Sequence, residues 1–306
     1  SRVPWTPVRR HHPGIAEPIG RCGPLITTHI SPQSCEYRAV NAWKILRPPF
    51  AVGTVLVGQL AHAILRDDLP TFDNQDPSGV FGPLDAPPLT IAFVGDSSVT
   101  APGVDPLDDS WVRQVAFHLA SRYRVDVRIM AVGGSKVRDV LENQLDAALA
   151  TRPDIVYVSV GSNDALRGTP VRAFEHDYRE LVTILHARVA AVGLSGIGDL
   201  GTIPRIPAIA QGVARLRARS IDHAVARVAQ DFPRTVKSNA WDVMERRFRE
   251  EPEMFAGDLF HASAPGHLVF AEVARPVADR LVEILEAHRP EGPDSDGVRP
   301  SDPGSA

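Results

Sequence analysis

From about residue 89 the chain alternates short apolar runs with amphipathic helical stretches, and this rhythm predicts an α/β fold: a three-layer α/β/α sandwich around a five-stranded parallel sheet. Two further observations support that prediction. The runs Thr90-Ile91-Ala92-Phe93-Val94, Arg128-Ile129-Met130-Ala131-Val132 and Asp154-Ile155-Val156-Tyr157-Val158-Ser159-Val160 have the apolar character of strands buried on both faces. Each ends in a polar, glycine-containing turn before a helical pattern begins. Right-handed crossovers between such strands give a flavodoxin-like order.

Taken in order, the first strand ends in Gly95-Asp96-Ser97-Ser98, and residues 107–123 read as the first helix, with Trp111, Val115 and Leu119 four apart on one side. The second strand runs into Gly133-Gly134-Ser135 and a helix over 137–149. The third runs into Gly161-Ser162-Asn163-Asp164 and a helix over 171–188. A fourth strand falls within 189–197, blurred by its Gly and Ala content, and a helix follows over 208–230. Residues 235–241 are the candidate fifth strand. Asp258-Leu259-Phe260-His261 and Ala262-Ser263-Ala264-Pro265-Gly266-His267 then lead into a last helix over 265–287.

Flanking this unit the composition changes. Residues 1–36 are dense in Pro, His, Arg and Gly without a period and read as a disordered arm. Residues 37–66 form an apolar helical segment whose core, 50–65, falls short of the ~20 residues a span needs and is interrupted by Gln59 and His62. It reads as a helix packed on the following domain or lying at a membrane interface, with a spanning anchor as the alternative. Nothing in it has the placement of a cleaved signal peptide. Residues 67–88 read as a linker, 89–288 as the α/β domain and 289–306 as a disordered tail. The expected location is cytoplasmic or membrane-associated, and the oligomeric state is open.

The 306 residues are 43% hydrophobic and 23% charged with a net charge of −4, ordinary values that leave no basic footprint for nucleic acid. Cys22 and Cys35 are the only cysteines; a single bridge and two free thiols are both open, and two distant cysteines do not make a zinc site. The paired His11-His12 and the scattered other histidines lack metal-ligand spacing, and no phosphate-binding Gly-rich loop with a following Lys-Ser/Thr is present. Neither a metal nor a cofactor is therefore expected.

The turns carry the chemistry. Ser97 stands at the carboxyl end of a strand, the rim where open α/β sheets hold ligands. A serine hydroxyl needs a base, and His261 is the histidine that combines rim placement with a carboxylate three residues away, Asp258. His267 reads as a helix N-terminal residue. An oxyanion would find donors in the Asn163 amide, the Gly134 backbone N–H and the Ser97 backbone N–H. Asp96 and Asp164 read as structural turn residues, and Asp105, Asp108 and Asp109 as a solvated loop and helix start.

This ordered set resembles the SGNH hydrolases, or GDSL-like lipases and esterases, over residues 88–287. The resemblance implies Ser97 as nucleophile, Gly134 and Asn163 as oxyanion donors with the Ser97 N–H, and Asp258 with His261 as the rest of a catalytic triad. Two positions depart from the pattern. Ser98 replaces the usual leucine, and no asparagine precedes the second-block glycine, which leaves Gly133 and Gly134 both open as the donor. Gly198-Asp199-Leu200-Gly201-Thr202-Ile203-Pro204-Arg205 is similar to a feature of actinobacterial members. The implied activity is hydrolysis of a small-molecule carboxylic ester through an acyl-enzyme. Carbohydrate deacetylase, lipase and thioesterase activities share the machinery, and a catalytically silent binding module using the same cleft is the alternative from another class.

Overall fold

The structure, a computed structural model, describes residues 68–239 and 241–288. The expectations for the arm 1–36, the apolar segment 37–66, Cys22, Cys35 and the tail 289–306 lie outside the described residues. Among the described residues, no helix is long and apolar enough to cross a membrane.

Six strands form one sheet in the order β1-β3-β2-β4-β5-β6. They are β1 (Gly79–Phe81), β2 (Pro88–Gly95), β3 (Arg124–Ile129), β4 (Ile155–Ser159), β5 (Ala191–Leu194) and β6 (Thr235–Lys237). Strands β2 to β6 are mutually parallel, in register at Ile91↔Val127, Phe93↔Tyr157, Val156↔Val192 and Gly193↔Val236. This is the predicted five-stranded parallel sheet in its flavodoxin-like order. The sixth strand, β1, pairs antiparallel with β3, Val80 opposite Asp126. It lies within 67–88, so that segment is not a simple linker; the three-residue Gly79–Phe81 strand is too short to leave a period in the sequence.

Nine helices follow in the described residues: α1 (Ser97–Thr100), α2 (Trp111–Leu119), α3 (Val137–Asn143), α4 (Leu145–Ala150), α5 (Ser162–Leu166), α6 (Val171–Arg188), α7 (Ala208–Gln230), α8 (Trp241–Glu250) and α9 (Ala264–His288). Alternate residues of the central strands enter two separate cores, which is what makes the molecule three-layered. Ala92, Val94, Val156 and Val158 face Val140, Tyr178, Leu181 and Ile221 of α3, α6 and α7. Ile91, Phe93, Ile155 and Tyr157 face Trp111, Val115, Leu281 and Leu285 of α2 and α9. Every residue of β4 and β5 is buried, as two covered faces require.

Some boundaries differ from the sequence prediction, each for a local reason. The second strand of the parallel sheet starts at Arg124, not Arg128: in Arg124–Ile129 the buried Val125 and Val127 alternate with polar residues, a one-sided pattern rather than a fully apolar run. The helix expected over 107–123 is a 3₁₀ turn at Leu107–Asp109 followed by α2, because Ser110 adopts an extended ψ of 137°. The helix expected over 137–149 breaks at Gln144, whose side chain is engaged elsewhere. Helices α6 and α7 match their predicted bounds. Helix α8 was not anticipated, although Trp241, Met244 and Phe248 at i, i+3 and i+7 carry its apolar stripe.

Candidate active site

The carboxyl ends of β2, β3 and β4 deliver three turns to one rim. At the end of β2, Gly95 has φ +148°, and a Cβ there would lie 2.0 Å from the Ser159 carbonyl oxygen of β4, so only glycine lets the two strand ends meet. Asp96 follows as the N-cap of α1: its Oδ1 accepts from the Ser98 N–H at 2.9 Å. Ser97 is thereby the first residue of α1, a position whose backbone N–H has no acceptor within the helix.

At the end of β3 the turn through Gly133 and Gly134 is held on both sides. The Val132 N–H donates to the Gly95 carbonyl at 3.2 Å, and Asn163 Nδ2 donates to the Ser135 carbonyl at 3.2 Å. Gly134 has φ +81°, a conformation that favours glycine, whereas Gly133 is crowded by the side chain of Asn74, whose Oδ1 would lie 2.2 Å from an added Cβ. After β4, Gly161 (φ +134°) starts α5, and Asn163 Nδ2 also donates to Asp96 Oδ2 at 3.3 Å. Asp164 is buried beneath and its Oδ2 accepts from the Val137 N–H at 3.0 Å. Burial pushes the carboxyls of Asp96 and Asp164 up, opposed by hydrogen bonds from Ser98 and Val137 respectively.

Gln144 ties these turns together from below, and sequence reasoning had passed over it. Its Oε1 accepts from the Gly95 N–H at 2.8 Å, and its Nε2 donates to the Gly95 carbonyl at 2.9 Å and to Ser135 Oγ at 3.0 Å. A buried amide that bonds both the N–H and the carbonyl of one residue fixes the backbone there, and here it does so two residues before Ser97.

The fourth loop precedes α9. His261 Nδ1 lies 2.6 Å from Asp258 Oδ2, while Asp258 Oδ1 accepts the backbone N–H groups of Phe260 (2.9 Å) and His261 (3.0 Å). Burial raises the Asp258 carboxyl, but the His261 side chain and these two N–H groups outweigh it and hold it below the usual carboxylate range. The carboxylate is thus held ionised, and with Nδ1 facing it Nε2 is the other ring nitrogen of His261. His267, by contrast, is 2% exposed and its Nδ1 accepts the Trp111 N–H at 3.4 Å. Burial, with a smaller contribution from His261, drops it to about 3.

Ser97, Asn163, His261 and His267 line one cavity, which encloses about 1210 Å³ of empty space with its open mouth included. Gly134 is not among the lining residues. Met244 and Phe248 of α8, Phe270 and Val273 of α9, and Ile197 also line the cavity and give it apolar walls. Asp199 anchors that wall. Its buried carboxylate accepts the Gly201 N–H at 2.9 Å, Arg249 of α8 at 2.8 Å, and Arg215 of α7, which also pairs with Glu245 of α8. This gives the Gly198–Arg205 segment a role that its sequence alone did not reveal. Among the described residues, the one group with metal-ligand spacing is His176, Asp177 and Glu180 on the surface of α6, none of which lines the cavity.

Comparison with known proteins agrees with this architecture. The structure is similar to an alpha/beta hydrolase enzyme from the metagenome of Lake Arreo, Spain, at 20% identity and a TM-score of 0.53, covering 64% of this chain and 97% of that one. It is also similar to a catalytic mutant of an acetylxylan esterase from Geobacillus stearothermophilus, at 19% identity and a TM-score of 0.54, covering 63% and 95%. These likenesses carry the fold. No curated protein matches the sequence. The model of the GDSL-like Lipase/Acylhydrolase family matches residues 93–269, a stretch that holds all four rim loops. The chain belongs to that family, and it is an SGNH-type carboxylic ester hydrolase.

Proposed function

We propose that the chain cleaves carboxylic esters through an acyl-enzyme on Ser97, with His261 as general base and acid and Asp258 orienting it. The observation that carries this reading is the 2.6 Å His261 Nδ1 to Asp258 Oδ2 bond beside a cavity that Ser97 and His261 line together. The Ser97 hydroxyl proton passes to His261 Nε2 as Oγ bonds to the ester carbonyl carbon, and the carbonyl π electrons move to oxygen. Collapse of that intermediate expels the alkoxide, which takes the proton from the imidazolium. Water then attacks the acyl-enzyme by the same route and Ser97 Oγ leaves with the returned proton.

The oxyanion is held by the Ser97 N–H and the Asn163 amide, whose contacts with Asp96 and the Ser135 carbonyl are both long, 3.3 and 3.2 Å. The Gly134 N–H is the third donor.

The favoured substrate is an ester with an apolar acyl group. Met244, Phe248, Phe270 and Val273 offer an acyl chain apolar walls, while Ser159, Ser162, Ser195 and Ser238 also line the cavity, so the deacetylation named for the acetylxylan esterase is the second reading. Each methylene buried there contributes ~0.8 kcal/mol, about a fourfold gain in kcat/KM. A series of acyl esters from acetyl to palmitoyl, beside acetylated sugars, tests this. Rising kcat/KM over the shorter chains supports the apolar acyl site, and preference for acetylated sugars overturns it. Labelling by an organophosphonate at Ser97, lost in Ser97→Ala together with hydrolysis, tests the mechanism. An active Ser97→Ala protein would exclude it and leave a different nucleophile, and an unreactive wild type would favour a binding module.

A further inference from the structure

The segment just ahead of the family match crosses three of the four rim loops. Pro70 and Phe72 rest on Gly257, next to Asp258: their side-chain carbons would lie 3.3 Å and 3.8 Å from a Cβ added there. The Phe72 ring also covers Gly103, where the corresponding distance is 2.8 Å. Asn74 Oδ1 accepts the hydroxyl of Thr100, the last residue of α1, at 2.7 Å, and the same side chain lies against Gly133. Gln75 adds three bonds to the loop that follows α1. Its N–H donates to the Thr100 carbonyl at 2.9 Å, and its Nε2 donates to the carbonyls of Ala101 (2.7 Å) and Val104 (2.9 Å).

We propose that residues 70–75 are a strap that sets the spacing of these loops, and that Asn74 is a positioning residue of the hydrolysis. This rests on the assignment of Ser97 and of the Gly133-Gly134 turn made above. Helix α1 is a single turn of four residues, too short to hold its own geometry, and Ala101 at its end has a left-handed φ of +47°. Such a turn needs partners from outside the helix. Gln144 holds its start through Gly95, and Asn74 and Gln75 hold its end. Because Asn74 touches both the serine turn and the second-block turn, it couples the nucleophile to the neighbouring N–H donor. A displacement of about 1 Å between them is enough to cost ~10²-fold in rate. Asn74 is exposed and fills no core, so its loss acts on geometry rather than on folding.

The test is a double-mutant cycle in the full chain with Asn74→Ala and Thr100→Val, reading kcat, KM and the thermal midpoint on one chromogenic ester, with Ser97→Ala as control. We expect each single variant to lower kcat about tenfold with KM within about twofold. The double variant should be no worse than about twofold below either, since both remove one interaction. Gln75→Ala should give a similar kcat loss. An unchanged kcat in Asn74→Ala, or a double-variant loss equal to the product of the singles, would overturn the strap while leaving Ser97 chemistry standing. An active Ser97→Ala control would instead remove the reading on which it rests.

Discussion

Replacing His267 by asparagine should flatten the acid side of the stability curve. His267 is buried and neutral, with a folded-state pKa of about 3, against ~6.5 in an unfolded chain. Between those values the unfolded state binds a proton that the folded state refuses, so unfolding free energy falls as pH falls. This group's stability contribution is complete above the unfolded value and drains away as pH drops toward 3. From pH 8 to pH 5 the loss is about 1.5 pKa units at ~1.36 kcal/mol each, or about 2 kcal/mol. The introduced amide cannot titrate but can still accept the Trp111 N–H, so the variant should start weaker at pH 8 yet lose about 2 kcal/mol less on acidification. Asp258, with its lowered carboxyl, sheds its contribution only below this window. Asp96, raised by burial, acts with the opposite sign but equally in both proteins. Urea titrations followed by tryptophan fluorescence at pH 8, 6.5 and 5 measure the difference. Parallel pH dependence in the two proteins would refute the argument.

Three other outcomes follow from the same geometry. On the proposed mechanism, in which its amide acts once the oxyanion forms, Asn163→Ala should lower kcat by roughly 10²-fold with a small change in KM; steady-state kinetics that moved KM alone would assign it to substrate binding. Gly95→Ala should fail to give soluble, active protein, because its Cβ would lie 2.0 Å from the Ser159 carbonyl oxygen, and recovery of an active enzyme at wild-type yield would contradict the β2–β4 approach. Tyr178→Phe should be stabilising by about 1 kcal/mol in urea denaturation, because the buried Tyr178 hydroxyl has no hydrogen-bond partner among the described residues and burial pushes it up from its ordinary pKa; a loss of stability on removing the hydroxyl would show that it is satisfied.

Local pattern alone was enough to give the five-stranded parallel sheet, helices α6, α7 and α9 almost to the residue, and the turns at the carboxyl ends of the strands. These are features that local pattern encodes: apolar runs ended by glycine, helical periodicity, and a serine, an amide and an Asp-x-x-His in fixed order. What it could not determine were relations between residues distant in the chain. Gln144 reads as an ordinary helix residue until folding places it 2.8 Å from the Gly95 N–H. Residues 70–75 read as linker because Pro, Asp and Asn announce a turn but not what the turn rests on. Asp199 lies in a conspicuous motif, yet its purpose emerges only with Arg215 and Arg249 around it. The Asp258 spacing already set His261 apart from His267 in the sequence, but that His267 is 2% exposed and accepts the Trp111 N–H, a residue 156 positions away, was not legible there. Desolvation and hydrogen bonding between sequence-distant groups are properties of the packed interior, so no local pattern in the chain announces them.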